Sequence, residues 1–211
     1  MKYHVIPVTS FNQNCSIVWC EQTHDAIVVD PGGEKEKLFR VIDNLNVRIN
    51  KIVLTHGHID HVGHAVDLKK YYNVPIWGPH KDDEFLMNDL TLQCQILKIK
   101  EYCNCAVSPD FWLKDGDIIE VGYEVFKVLH CPGHSPGHVV FWNESCKFII
   151  MGDVLFKKNV GRSDLPGGSY VTLINSIKNK LLVLEDDINF LPGHGPISSI
   201  GYERKNNTFL I

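Results

Sequence analysis

No stretch of this sequence approaches the ~18 consecutive apolar residues of a membrane-spanning helix. Its N-terminus, Met1-Lys2-Tyr3-His4-Val5-Ile6-Pro7-Val8, runs into polar Thr9-Ser10-Phe11-Asn12-Gln13-Asn14 without the apolar core of a signal peptide. A cytoplasmic location, away from membranes, is the expectation. Runs of one charge are missing as well. Lys and Arg are scattered and the formal net charge is −4 at pH 7, so nothing marks a footprint for nucleic acid or an anionic membrane. A small-molecule partner fits better. Regular cysteine spacing is also lacking: seven cysteines, an odd number, argue against a disulfide framework and for reduced thiols. Cys103-Asn104-Cys105 has no second pair or nearby His to complete a closed four-ligand zinc site and reads as reduced cysteines on a connecting segment. Cys131 reads as a buried thiol packed under the site. With no linker or low-complexity segment in 211 residues that are 44% hydrophobic, a single domain over 1–211 with one core is expected. The oligomeric state is left open.

What is present is an alternation of strand and helix patterns. Tyr3–Val8, Ser16–Cys20 and Ala26–Val29 are short β-branched or aromatic segments punctuated by turn formers, and Asp30-Pro31-Gly32-Gly33 stops the last of them. Glu34–Leu45 follows with Leu38, Val41, Ile42 and Leu45 at helical spacing. Lys51–Thr55 reads as a strand and His61–Tyr72 as a helix with a Val62, Ala65, Val66, Leu68 stripe. Pro79–Pro109 is mixed, with a helix around Asp82–Met87 and a variable loop carrying Cys94, Cys103 and Cys105. Strands return at Ile118–Val121, Glu124–Leu129, Val139–Trp142 and Phe148–Met151, then a helix over Gly167–Leu184 and a strand at Ile188–Leu191. This order predicts two similar halves facing each other with helices outside, an α/β (α+β) arrangement.

The polar exceptions sit at strand ends. Thr55-His56-Gly57-His58-Ile59-Asp60-His61 packs three imidazoles and a carboxylate into six residues. These are the groups that zinc, iron and manganese bind, and without an ion such crowding concentrates desolvation and repulsion. His-x-His lets two rings reach one ion, while Asp60 and His61 reach a second. Three other strand ends add His134, Asp153 and His194, each beside a glycine, as a rigid scaffold would present side chains to one point. Taken alone, Asp153 would read as a turn or helix cap. His138 and His130 compete with His134; His134 is favoured, with His138 packed beside the site. His4, His24, His64 and His80 read as surface or packed residues.

His56-Gly57-His58-Ile59-Asp60-His61, Pro132-Gly133-His134, Gly152-Asp153 and Pro192-Gly193-His194-Gly195 resemble the ligand set of the metallo-β-lactamase superfamily, in the order of its glyoxalase II branch. Asp30-Pro31-Gly32-Gly33, Leu129-His130-Cys131-Pro132-Gly133-His134, Gly161-Arg162-Ser163-Asp164 and Gly201-Tyr202-Glu203-Arg204 resemble the short bacterial type II glyoxalase II group, YcbL/GloC-like hydroxyacylglutathione hydrolases. The resemblance implies a four-layer αββα sandwich. It implies one metal on His56, His58 and His134, a second on Asp60, His61 and His194, and Asp153 bridging. Two divalent ions are expected, zinc first, with iron or manganese also suited. The implied reaction is hydrolysis of S-(2-hydroxyacyl)glutathione thioesters such as S-lactoylglutathione, as in methylglyoxal detoxification.

Two close metals generate a nucleophile and polarise a carbonyl, and Asp60 is expected to orient the metal-bound hydroxide. A thiol of pKa near ~8.5 then leaves as its anion. The family's helical glutathione-binding domain is not expected, because only 17 residues follow His194. Arg162 is the candidate to grip a glutathione carboxylate bidentately, an ion pair with Asp164 being the alternative. Asn206-Asn207-Thr208-Phe209 is similar to the family's Asn-Pro-Phe with Thr208 in place of proline. The rival readings are a mononuclear iron persulfide dioxygenase of the same fold and a non-enzymatic metal-binding module. A β-lactamase is disfavoured, since the better-known zinc types carry cysteine at the position of Asp153.

Overall fold

A computed structural model describes residues 1–97 and 106–210. The first sheet holds β1 (Lys2–Val8), β2 (Gln13–Trp19), β3 (Asp25–Val29), β4 (Arg48–Val53) and β5 (Ile76–Trp77) in that spatial order. Pairing is antiparallel up to β3, then parallel from β3 to β4 and from β4 to β5. Parallel neighbours need crossovers, supplied by α1 (Lys35–Leu45) and by α2 (Ile59–Val62) with α3 (Ala65–Tyr72). After β5 come α4 (Glu84–Asn88) and α5 (Leu90–Leu97). The second sheet contains β6 (Ile118–Val121), β7 (Glu124–His130), β8 (Val139–Asn143), β9 (Phe148–Gly152), β12 (Asn189–Pro192) and β13 (Ser198–Ser199), in the order β13-β12-β9-β8-β7-β6. Between β9 and β12 lie the hairpin β10 (Leu155–Phe156) and β11 (Asn159–Val160) and the crossover helix α6 (Tyr170–Ser176); α7 (Ile200–Asn206) follows β13.

Strand alternation explains the layering. In β3, Ala26 and Val28 face α1 and α3, while Ile27 and Val29 enter the core between the sheets; all four are buried. In β9, Phe148 and Ile150 fill the inter-sheet core, while Ile149 and Met151 meet α6. A strand covered on both faces must be apolar throughout, and each buried Val, Ile, Phe or Met side chain contributes about 1.5–3 kcal/mol of burial. Placing Asp at Val28 would strand a carboxylate between sheet and helix. The α/β fold is the expected αββα sandwich.

Local departures from the sequence reading have physical causes. The helix expected over His61–Tyr72 is broken at Gly63–His64, because His64 donates its N–H to Pro31 O outside the helix (2.9 Å). The helix expected over Gly167–Leu184 begins only at Tyr170, after Ser169 caps it by accepting Thr172 N–H, and it ends in a π-helical turn over Ile177–Leu181. Cys94, expected in a loop, lies in α5. Cys103 and Cys105 lie outside the described residues. Among the described residues no helix is long and apolar enough to cross a membrane.

Candidate metal centre

The C-terminal ends of β4, β7, β9 and β12 open on one edge of the sandwich. The β4 exit carries Thr55 to His58 and runs into α2 with Asp60 and His61. The β7–β8 connection carries His134, Asp153 directly follows β9, and His194 follows β12. Glycine is required where these segments meet. A Cβ on Gly193 would lie 2.0 Å from Asp153 Oδ1. Gly152, at φ 53°, has the His138 ring 2.7 Å from where a Cβ would be.

His134 Nε2 lies 3.2 Å from His56 Nε2 and 2.9 Å from His58 Nδ1. Nearby, His194 Nε2 lies 3.4 Å from His61 Nε2 and 3.3 Å from Asp60 Oδ2. Asp153 stands between the two groups, Oδ1 3.5 Å from His61 Nε2 and Oδ2 3.6 Å from His134 Nε2 and 3.5 Å from His194 Nε2. A tetrahedral ion with ligands at ~2.0–2.1 Å has ligand–ligand edges of roughly 3.3–3.4 Å. Both triads therefore have the dimensions of a metal site. Asp153 Oδ1 is buried with no hydrogen-bond partner among the described residues, an acceptor of the kind a cation satisfies.

The far nitrogens of the rings fix their orientation. His61 Nδ1 lies 2.8 Å from Asp30 Oδ2, His134 Nδ1 2.7 Å from Arg162 O, and His194 Nδ1 3.1 Å from Phe11 O. His56 Nδ1 is 3.0 Å from Thr55 Oγ1, which itself donates to Asp30 Oδ2 (2.6 Å). A ring that donates from its far nitrogen presents a lone pair from the near one. Asp30 also falls within reach of His56 and His61. Its oxygens are already taken by Thr55 N–H, Thr55 Oγ1–H and His61, so it orients rings instead of offering a ligand atom.

Burial, reinforced by neighbouring imidazoles, holds His56 well below the usual histidine range and His58 near 3, and burial also lowers His134. These three rings are neutral at pH 7. Burial would lower His61 and His194 too, but Asp153 and Asp60 outweigh it, raising His61 well above its ordinary value and His194 to about 10. Burial would raise Asp153 and Asp60, yet the facing histidines keep both below the usual carboxylate range.

His138 stays out of both triads. Its Nε2 accepts the Asp153 N–H at 2.9 Å, and its ring stacks on His56 at 4.7 Å. His130 is drawn away to stack on His80 (4.2 Å, 20° between planes). Although Asp82 is close by, stacked near-parallel rings keep their in-plane lone pairs in separate planes, a poor arrangement for sharing one ion. His64 pairs with Asp67 (2.9 Å). Arg162 grips Asp164 through Nε and Nη2, both at 2.8 Å, while its carbonyl accepts from His134.

In front of the triads lies a cleft of about 760 Å³ lined by His58, Asp60, His134, Asp153 and His194, walled by Phe11, Phe156, Tyr170 and Phe209, with Lys157 and Arg162 among its lining residues. Sequence reasoning missed the walls, Lys157, and three buried polar residues: Asp30, Asp83 and Gln93. Asp30 had a signal, a polar residue ending an apolar strand before Gly-Gly, as at the ligand positions. Asp83 and Gln93 lie in the stretch with no clear periodicity.

Known proteins resemble this chain in sequence and fold. The family model described as the metallo-beta-lactamase superfamily matches residues 8–194. Hydroxyacylglutathione hydrolase GloC of Haemophilus influenzae is 44% identical, over 100% of this chain and 98% of that protein. The crystal structure of BLEG-1 B3 metallo-beta-lactamase superposes with a TM-score of 0.91 at 31% identity, covering 99% of both chains. That of TTHA1623 in a di-iron-bound form gives 0.89 at 32% identity, covering 98% of this chain and 100% of that one.

Proposed function

The chain belongs to the metallo-β-lactamase superfamily, and on that footing we propose a cytoplasmic dinuclear hydrolase that cleaves S-(2-hydroxyacyl)glutathione thioesters, such as S-lactoylglutathione, to glutathione and a 2-hydroxy acid, as in methylglyoxal detoxification. One observation carries the reading: side chains from four strand ends aim donor atoms at two adjoining points with a single carboxylate between them. His56, His58 and His134 would hold one ion and Asp60, His61 and His194 the other, with the Asp153 carboxylate facing both groups. Zinc suits both triads, as do iron and manganese. The name of the Haemophilus relative and the di-iron form of TTHA1623 support this reading.

Bound there, two ions supply Lewis acidity toward a thioester carbonyl and lower the pKa of a water toward ~7. The protein supplies the geometry. Asp60, on the cleft wall with Oδ2 3.3 Å from His194, accepts a hydrogen bond from the attacking water and sets its direction. His138 pins the Asp153 backbone, which keeps the bridging carboxylate facing both triads. Phe11, Phe156 and Tyr170 give the cleft apolar walls against which a bound substrate can pack. The departing thiol, of pKa near ~8.5, leaves as its anion and needs no acid. Lys157 and Arg162 offer cations to the glutathione carboxylates. The Arg162–Asp164 pair is largely exposed (55% and 71%), so it is weakly held and an incoming carboxylate can exchange with Asp164.

A second reading, β-lactam hydrolysis, is favoured by the likeness to BLEG-1. One preparation distinguishes the readings. Protein carrying two ions is expected to release free thiol from S-lactoylglutathione much faster than it opens a chromogenic β-lactam. No thiol release at full metal occupancy refutes the proposal. Lactam opening alone then supports the second reading, oxygen uptake with glutathione persulfide supports a dioxygenase, and no turnover of any kind supports a binding module.

A further inference from the structure

Asp83 is fully buried just before α4, belongs to neither triad, and accepts hydrogen bonds from both metal-bearing loops. Its Oδ2 takes the N–H of Gly57 (2.8 Å), the residue between His56 and His58, and the Oγ–H of Ser135 (2.7 Å), the residue after His134. Its Oδ1 takes the N–H of Gly137 (2.5 Å). Gln93 completes the hold on the same turn. It accepts Ile59 N–H (2.9 Å) and donates to Gly57 O (3.0 Å), so the Gly57 backbone is held on both sides. Gly137 must be glycine for this seat to exist, since a Cβ there would lie 2.6 Å from Asp83 N.

The two loops come from different sheets, one leaving β4 and the other joining β7 to β8. His58 Nδ1 and His134 Nε2 face each other across the gap at 2.9 Å, and the Asp83 carboxylate closes the same gap from behind. We propose that Asp83 is a positioning residue that sets the spacing of His58 against His134 and thereby tunes metal affinity at the three-histidine triad, leaving the Asp60, His61, His194 triad unaffected. The inference rests on the two-ion reading above. The chemistry requires a carboxylate: an amide places an NH2 against one of three donors that converge on two acceptor oxygens, and the loops separate to relieve it.

The test is Co(II) titration of metal-free protein against a competing chelator, read by visible absorbance. Wild type is first shown to bind two ions; failure at that point refutes the two-ion reading and not the role of Asp83. In a His194→Ala background, which retains the three-histidine triad, Asp83→Asn is expected to weaken Co(II) binding by about 10–100-fold, as loss of an outer partner typically does. In a His58→Ala background the same substitution is expected to change affinity by less than about threefold. Equal losses in both backgrounds, or none in either, overturn the proposal. If Asp83→Asn does not fold, Ser135→Ala removes one of the three donors and must show the same selectivity. Glu124→Gln breaks a half-buried ion pair with the N-terminus at the far end of β7 and controls for general destabilisation; a Co(II) shift as large as that of Asp83→Asn also overturns the proposal.

Discussion

The two triads are built differently. His56, His58 and His134 are 0%, 5% and 2% exposed, carry no charge at neutral pH, and sit on loops clamped from behind by Asp83 and Gln93. The second triad opens to the cleft, with the His194 side chain 25% exposed and Asp60 13%, and it pairs carboxylates with histidines that those carboxylates make basic. The difference separates tasks. A buried, neutral, tightly anchored set suits retention of an ion, whereas side chains with more exposure at the cleft suit exchange with water and substrate.

Asp153 is where that contrast can be erased, because its carboxylate faces both triads. Asp153→Ala is expected to reduce bound metal from two ions to one or fewer and to slow thioester cleavage by more than about 100-fold, beyond what loss of an outer partner costs. Metal analysis beside a thiol assay checks this, and two ions retained at full affinity would remove Asp153 from its bridging role. Arg162 lets metal holding be separated from substrate holding. Arg162→Ala keeps the backbone carbonyl that orients His134, so metal content should stay unchanged while KM rises about tenfold with little change in kcat. An unchanged KM would mean that its bond to Asp164 is structural.

The remaining expected effect concerns the clamp behind the neutral triad. Burial raises the Asp83 carboxyl from 3.8 to about 6 despite its three donors. A raised folded pKa means that the neutral form is the one favoured by the fold, so this contribution is whole below about pH 4 and is lost as pH rises through about 6. Asp83→Asn has no such titration. In metal-free protein, wild-type stability measured against that variant by urea unfolding should therefore fall by about 1–3 kcal/mol between acid and neutral pH. A difference that stays constant with pH would place the carboxyl in its ordinary range.

Most of the residues that meet at the centre were legible because they are ligand types beside a glycine where an apolar strand stops, as at Gly57, Gly133, Gly152 and Gly193, while Asp60 and His61 were legible from their crowding with His56 and His58. The choice of His134 over His138 had no local signal. In the fold, His138 is occupied by the backbone of Asp153 and His130 is removed by stacking on His80. Asp83 was beyond reach for a similar reason: its three donors are two backbone N–H groups and a hydroxyl from other segments, and none leaves a pattern in sequence. The break between α2 and α3 likewise depends on the Pro31 carbonyl, far away in the chain.

Taken alone, the order of residues settled the layered architecture, since strands that are apolar on both faces, such as β3 and β9, demand cover on both sides. It also picked out which imidazoles and carboxylates were available at strand ends. Their grouping into two triads with Asp153 between them, the partners that orient each ring, and the cleft in front were decided only by packing one sheet on the other. Those properties depend on distances between segments remote in the chain, and such distances exist only once the polypeptide has folded.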